Sequence, residues 1–262
     1  MTQINIRIVM GQNNSGIVMP LAPVQETCAG CPIRHRAVCA HCEPQELERL
    51  ERIKSYADIA AGAPIFFAGE PMRHVASVVS GAAILSRTLE DGRRQINGLM
   101  LPSDFIGRPW RETIPFDVTA ASPVRLCRFE RIAFEKILGD TPHVSERLLS
   151  MTLDDLDAAR DWAVVLGRMA ARERISAFLL ILARRLGRTD RHDPSRVTFS
   201  LPLTREAIAD LLGLTLETAS RQMSALRRDG VIETEGRSTV IVPDLARLQE
   251  EAQDDDDGTG LT

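Results

Sequence analysis

The sequence has no long apolar run. Runs such as Trp162–Leu166 fall far short of the roughly 20 predominantly apolar residues that a helix needs to cross a bilayer. Residues 1–20 lack a basic start followed by an apolar stretch, so they do not read as a secretion signal. No membrane association is expected, and the cytoplasm is the expected location. Net positive charge is also missing: 32 Lys and Arg stand against 36 Asp and Glu, a formal net charge of −4. That balance does not advertise nucleic acid, but it is uneven. Residues 168–196 carry Arg168, Arg172, Arg174, Arg184, Arg185, Arg188, Arg191 and Arg196 against only Glu173, Asp190 and Asp193. A catalytic constellation is lacking too. His74 and His143 have no nucleophile or carboxylate partner at a recognised spacing, so no enzyme is expected.

Cysteine is scarce, at five residues in 262, yet four of the five fall between Cys28 and Cys42. Core cysteines are scattered singly, so the stretch Cys28-x2-Cys31-x7-Cys39-x2-Cys42 asks for another reason. Four thiolates can surround Zn²⁺ or an iron–sulfur cluster. Free or redox-active thiols are a second possibility. A disulfide framework is disfavoured in a chain that carries no secretion signal. The fifth thiol, Cys127, lies far away in sequence.

Along the chain the apolar period changes twice. Residues 1–26 are polar and read as a flexible N-terminus. Glu43-Pro44 opens a helix with an apolar stripe of Leu47, Leu50 and Ile53. From Ala63 to Phe129 short β segments alternate with turn residues: Ile65–Phe67, Val75–Val79, Ala83–Arg87, Gln95–Leu101, Val118–Ala120 and Val124–Phe129. Strands of this length and spacing suggest a small β-roll or barrel. From Pro142 onward the period is helical. Leu149, Thr152, Leu156, Ala159, Ala163, Leu166 and Ala170 recur at spacings of 3 and 4, as along a coiled-coil seam. Such a stripe can pack on its own domain; we read it as a two-chain dimer seam. A second helix is expected over Glu173–Leu186.

Residues 204–242 read as a winged helix-turn-helix. Thr204 can cap Arg205–Leu212, Gly213 allows a sharp turn, and Thr215 can cap Leu216–Arg228. Val231–Thr234 and Thr239–Val242 make a hairpin, the wing. Glu217, Ser220 and Arg221 share one face of the second helix. Arg can hold guanine N7 and O6, a carboxylate can accept from cytosine N4, and Ser can meet either kind of base edge. The same side chains on a solvated face would be unremarkable; their place after a capped turn points to DNA.

The order cysteine loop, β-roll, long helix, winged helix resembles the Crp/Fnr superfamily of bacterial transcription regulators over residues 25–245. It is most similar to the oxygen-responsive iron–sulfur branch of the Fnr/FnrL type. The resemblance implies an α+β chain with a cyclic-nucleotide-binding-like sensor domain. It implies a [4Fe-4S] cluster on Cys28, Cys31, Cys39 and Cys127, with Cys42 as an alternate ligand and Zn²⁺ as an alternative metal. Zn²⁺ would make the chain a Crp-like regulator with a structural four-cysteine site and a different small-molecule effector. The run Leu211–Arg221 resembles the family's recognition-helix entry. There Glu217, Ser220 and Arg221, supported by Thr204 and Thr215, would read a TTGAT-N4-ATCAA-like inverted repeat. A homodimer, RNA polymerase as partner, and control of anaerobic or microaerobic genes, mostly by activation, are implied as well. A cyclic nucleotide is not expected. Gly107 is followed by Arg108 where the nucleotide-binding branch has Glu, and Asp117-Val118-Thr119 lacks the phosphate-pairing Arg. Ala159 falls where well-known oxygen-labile relatives carry an Asp, which implies readier dimerisation without the cluster. The expected domains are residues 27–141 for sensing, 142–170 for dimerisation, 171–245 for DNA and 246–262 as an acidic disordered tail.

Overall fold

The computed structural model describes residues 27–236 and 238–253. The stretch 1–26, expected to be flexible, lies outside the described residues. After the cysteine loop comes helix α1 (Pro44–Ile53). Pro44 occupies its first turn, where a missing N–H costs nothing, and the Glu43 N–H donates to Glu46 Oε2 at 2.7 Å.

The sensor domain follows as β1 (Lys54–Ile59), β2 (Pro64–Phe66), β3 (His74–Ser80), β4 (Ala83–Thr88), β5 (Arg94–Met100), β6 (Phe105–Ile106), β7 (Asp117–Ala120) and β8 (Val124–Glu130). These strands form two four-stranded sheets, ordered β1-β8-β3-β6 and β2-β7-β4-β5, with every pairing antiparallel. Alternation along β8 divides its side chains: Val124 and Leu126 join Ala76, Val78, Ile106 and Val118 between the sheets, while Cys127 and Phe129 face the cysteine loop and α1. Gly81 makes the β3–β4 turn at φ +81°, and a Cβ there would stand 2.0 Å from the Pro123 carbonyl oxygen. This is the expected roll. It begins at Lys54 rather than Ala63, however, because α1 passes into β1 with no turn residue between them.

Helix α2 (Arg131–Asp140), which the sequence reading did not foresee, closes the roll. Glu130 caps it by accepting from Ile132 N and Ala133 N, and Phe134 stacks on Phe105 and tilts against Phe129. The long helix α3 (Pro142–Arg168) follows, then α4 (Ala171–Leu186), β9 (Arg188–Thr189), β10 (Val197–Ser200), α5 (Arg205–Leu212), α6 (Leu216–Arg228), β11 (Glu233–Glu235), β12 (Thr239–Val242) and α7 (Leu245–Glu251). The C-terminal sheet runs β11-β12-β10-β9. Among the described residues no helix is long and apolar enough to cross a membrane.

Two expectations need correction here. The dimer helix was expected to run to residue 170, but it stops at Arg168, and Ala170 is the N-cap of α4, its N–H donating to Glu173 Oε2 at 2.6 Å. Ala170 therefore does not belong to the α3 seam, and Leu166 is half-buried next to the fully buried Val165. Leu149, Thr152, Leu156, Ala159 and Ala163 are exposed as expected, and Leu153 and Val164 join that face. The second correction concerns the tail. Residues 245–251 are a helix, capped by Asp244 and buried at Leu248, and only residues 254–262 of the expected tail lie outside the described residues.

Candidate functional site: a thiol cluster and a DNA-reading face

The cysteine loop is a series of tight turns. Cys31 N donates to Cys28 O, Arg34 N to Cys31 O, Ala37 N to Ile33 O and Cys42 N to Cys39 O. The Arg34 guanidinium crosses the loop and donates to Ala40 O at 2.5 Å and Cys42 O at 2.8 Å. Ile33, Ala37 and Val38 are buried and pack with Leu50, Phe129 and Phe134, which pins the loop to the roll. Two further ties reach α3: Arg147 Nη2 donates to Arg36 O at 2.6 Å, and His143 Nδ1 lies 3.0 Å from Glu46 Oε1.

Cys127 completes the neighbourhood from β8, between Tyr56 on β1 and Ser77 on β3. All five thiols are unpaired by disulfides, and Cys28, Cys42 and Cys127 are buried. Burial pushes the Cys127 thiol well above its usual range, and Cys28, Cys31 and Cys39 add to the rise. Burial likewise takes Cys39 to about 11, with Cys31 and Cys28 adding to it against Arg34. Cys42 reaches about 12, mainly by burial, then through Cys39 and Glu46. Lys54 Nζ donates to Cys28 Sγ at 3.5 Å and lies 5.2 Å from the Tyr56 ring centroid. Crowded, buried thiols resist ionising alone, and a cationic centre reverses that preference because metal-bound thiols deprotonate. The donor set therefore fits a metal centre. Among the described residues, no three His, Cys, Asp or Glu side chains converge tightly enough to hold a single ion. A lone tetrahedral Zn²⁺ would need sulfurs about 3.8 Å apart for bonds of about 2.3 Å.

At the other end of the chain the expected motif is present. Thr204 Oγ1 accepts from Ala207 N at 3.1 Å, Gly213 turns the chain at φ +61°, and Thr215 Oγ1 accepts from Thr218 N at 3.2 Å. Both threonines are thus caps that fix where the helices start. Ala219, Met223 and Leu226 of α6 are buried with Ile208, Leu211 and Leu212 of α5. Glu217 and Arg221 are exposed on the opposite face, with Ser220 half-buried beside them. Among the described residues neither Glu217 nor Arg221 has an ion-pair partner, so both side chains are free to meet a partner from solution. Arg205 is half-buried, and its Nη1 is enclosed without an acceptor.

Comparison with known proteins matches both halves. The family model for a cyclic nucleotide-binding domain matches residues 57–141, and that for a Crp-like helix-turn-helix domain matches residues 173–251. The chain is 57% identical over 232 residues to the transcriptional activator protein FnrL of Cereibacter sphaeroides, covering 88% of this chain and 94% of that protein. It is 34% identical to the nitrogen fixation regulation protein FixK of Bradyrhizobium diazoefficiens, covering 82% and 90%. The structure of FixK2 from Bradyrhizobium japonicum superposes with a TM-score of 0.69 at 32% identity, covering 76% of this chain and 96% of that one. The chain belongs to the Crp/Fnr family of transcription regulators.

As a Crp/Fnr regulator the chain is a DNA-binding protein rather than an enzyme, and its two sites flank α3. Sequence reasoning missed Arg34 and Lys54, which hold the loop and touch Cys28. The signal for Arg34 was only a positive charge inside a thiol run, and Lys54, beyond α1 in the chain, gave none. It also missed Arg172, whose guanidinium donates to Asp229 Oδ2 at 2.7 Å and to both Glu251 carboxylate oxygens, fastening the end of α6 to α7.

Proposed function

We propose that this Crp/Fnr regulator is a cytoplasmic, oxygen-responsive transcription activator that holds a [4Fe-4S] cluster on Cys28, Cys31, Cys39 and Cys127. The observation that carries the reading is the position of Cys127: β8 sets it in the same buried cluster as Cys31, Cys39 and Cys42 of the loop. When bound, the cluster supplies oxygen-sensitive chemistry. The chain supplies the mechanical consequence: ligation fastens residues 28–42 to β8, and Arg36 O and Glu46 carry that order to Arg147 and His143 at the start of α3. The exposed apolar face of α3 then meets its copy in a homodimer.

A two-fold dimer sets two α6 helices in successive major grooves about 34 Å apart, which suits a TTGAT-N4-ATCAA-like operator from which RNA polymerase is recruited to anaerobic or microaerobic genes. Cyclic nucleotides are not effectors in this reading. The cavity beside Gly107 and Arg108 measures about 160 Å³ and is lined by Met72, Met100, Phe105 and Phe116, against roughly 300–1,000 Å³ for ordinary ligand sites. A second reading, a structural zinc site closed by Cys42, is favoured by the burial of that thiol beside Cys39 and Cys28. Visible absorbance and operator affinity of the full chain, purified without oxygen and then exposed to air, separate the two. A brown protein that bleaches and releases DNA is expected. A colourless zinc protein with air-stable binding would overturn the cluster.

A further inference from the structure

A second, larger cavity opens at the mouth of the roll, on the opposite face of the strand that carries Cys127. It measures about 370 Å³. Alternation along β8 turns Arg128 to the same inner face as the fully buried Leu126, and the register sets Arg128 opposite Ala76, one step from His74 on β3. Phe66 supplies an aromatic wall, and Arg73 and Glu70 line the rim. Arg128 Nε is enclosed, and among the described residues it has no acceptor. Among the described residues the Arg128 side chain makes no ion pair, and it lines the cavity together with Arg73, so an anion entering there meets positive charge that no carboxylate has already neutralised. Burial, Arg128 and Arg73 hold the His74 imidazole below its usual range, so at neutral pH it is a neutral donor or acceptor and not a further cation.

We infer that this cavity binds a small organic monoanion, a carboxylate on a short aromatic or aliphatic body. The carboxylate would pair with Arg128 and the body would lie against Phe66, Ile59 and Ile65. The planar guanidinium fork matches a carboxylate, the floor is apolar, and two arginines against one Glu70 leave an excess charge that suits a monoanion. The size lies within the ordinary range for small-molecule sites, roughly 300–1,000 Å³. The inference goes beyond cluster sensing and does not depend on it, since no thiol lines the cavity.

The test uses the full chain with benzoate as probe and benzamide as its uncharged counterpart, followed by ligand-observed NMR and calorimetry. Benzoate should bind at least about tenfold more tightly than benzamide, and Arg128→Met should remove that difference. Glu70→Gln, on an exposed turn, should tighten benzoate binding a few-fold, and it keeps the test decisive if Arg128→Met fails to fold. Arg87→Met, at the far end of β4, should change nothing. Equal binding of benzoate and benzamide, or benzoate binding that ignores Glu70→Gln, would overturn the assignment.

Discussion

Gln95 of the sensor hairpin donates through Nε2 to the main-chain carbonyl of Asp210 at 2.8 Å, 115 residues later in the chain. It also reaches Leu211 O at 3.3 Å. These are carbonyls of the last turn of α5, which have no partner within the helix. The neighbouring Ile96 is fully buried in the same cluster as Ile208, Leu211 and Leu212. A second tie lies nearby, where Arg185 Nη2 donates to Asp104 Oδ1 at 2.5 Å. The β4–β5 hairpin thereby sets the orientation of the helix-turn-helix. Gln95→Leu should leave helix content unchanged and lower operator affinity about fivefold, the effect of about 1 kcal/mol. Fluorescence anisotropy with a labelled operator measures this; unchanged affinity would mean that the DNA-bound form does not use the contact.

Arg221 is exposed on α6 and unpaired among the described residues, and the proposed reading assigns it to a guanine edge. Arg221→Ala should cost about 1–3 kcal/mol on a matched operator and relax discrimination at one base pair. Titrations against matched and mismatched duplexes decide. Equal weakening on every sequence would assign Arg221 to phosphate.

Arg172 gives a pH dependence with a definite sign. Its hydrogen bonds hold the Asp229 and Glu251 carboxyls below their usual range. A depressed carboxyl contributes stability above its unfolded pKa of about 4, and that stability is lost as pH falls through the native value. Arg172→Met should therefore lower the unfolding temperature by a few degrees at pH 7 and converge with the parent below about pH 3. Calorimetry across that range tests it, and a constant gap at all pH values would mean that packing is lost rather than charge.

The exposed face of α3 bears on association. Leu149 is 60% exposed, Leu153 52% and Leu156 45%, and Ala159 places no charge among them. Two facing carboxylates at position 159 would repel and resist desolvation. The chain without its cluster should thus dimerise at micromolar concentration, and Ala159→Asp should weaken the dimer about tenfold or more. Sedimentation provides the test. A wholly monomeric cluster-free chain that Ala159→Asp does not weaken further would contradict it.

Much of this architecture is legible in the residues. Thr204, Gly213 and Thr215 punctuate the helix-turn-helix so strongly that both helix ranges follow from them. Six strands of the roll emerge from alternation to within a residue or two. β1 does not, because Lys54, Ser55 and Asp58 are polar and no Gly or Pro separates them from α1. α2 is hidden for a similar reason: its cap is Glu130, which also ends a strand. The seam is read with the wrong far end, since a strict 3–4 count runs on to Leu166 and Ala170 while Val165 turns inward and α4 restarts. The four clustered thiols are plain in the sequence. Their approach to Cys127 is not, because it depends on how β8 pairs with β1 and β3.

The ligand set itself is tested most directly by the iron content and visible absorbance of the five single Cys→Ser variants, prepared without oxygen. Cys28→Ser, Cys31→Ser, Cys39→Ser and Cys127→Ser should each lose the cluster, and Cys42→Ser should keep it. A full cluster in Cys127→Ser together with its loss in Cys42→Ser would contradict the assignment.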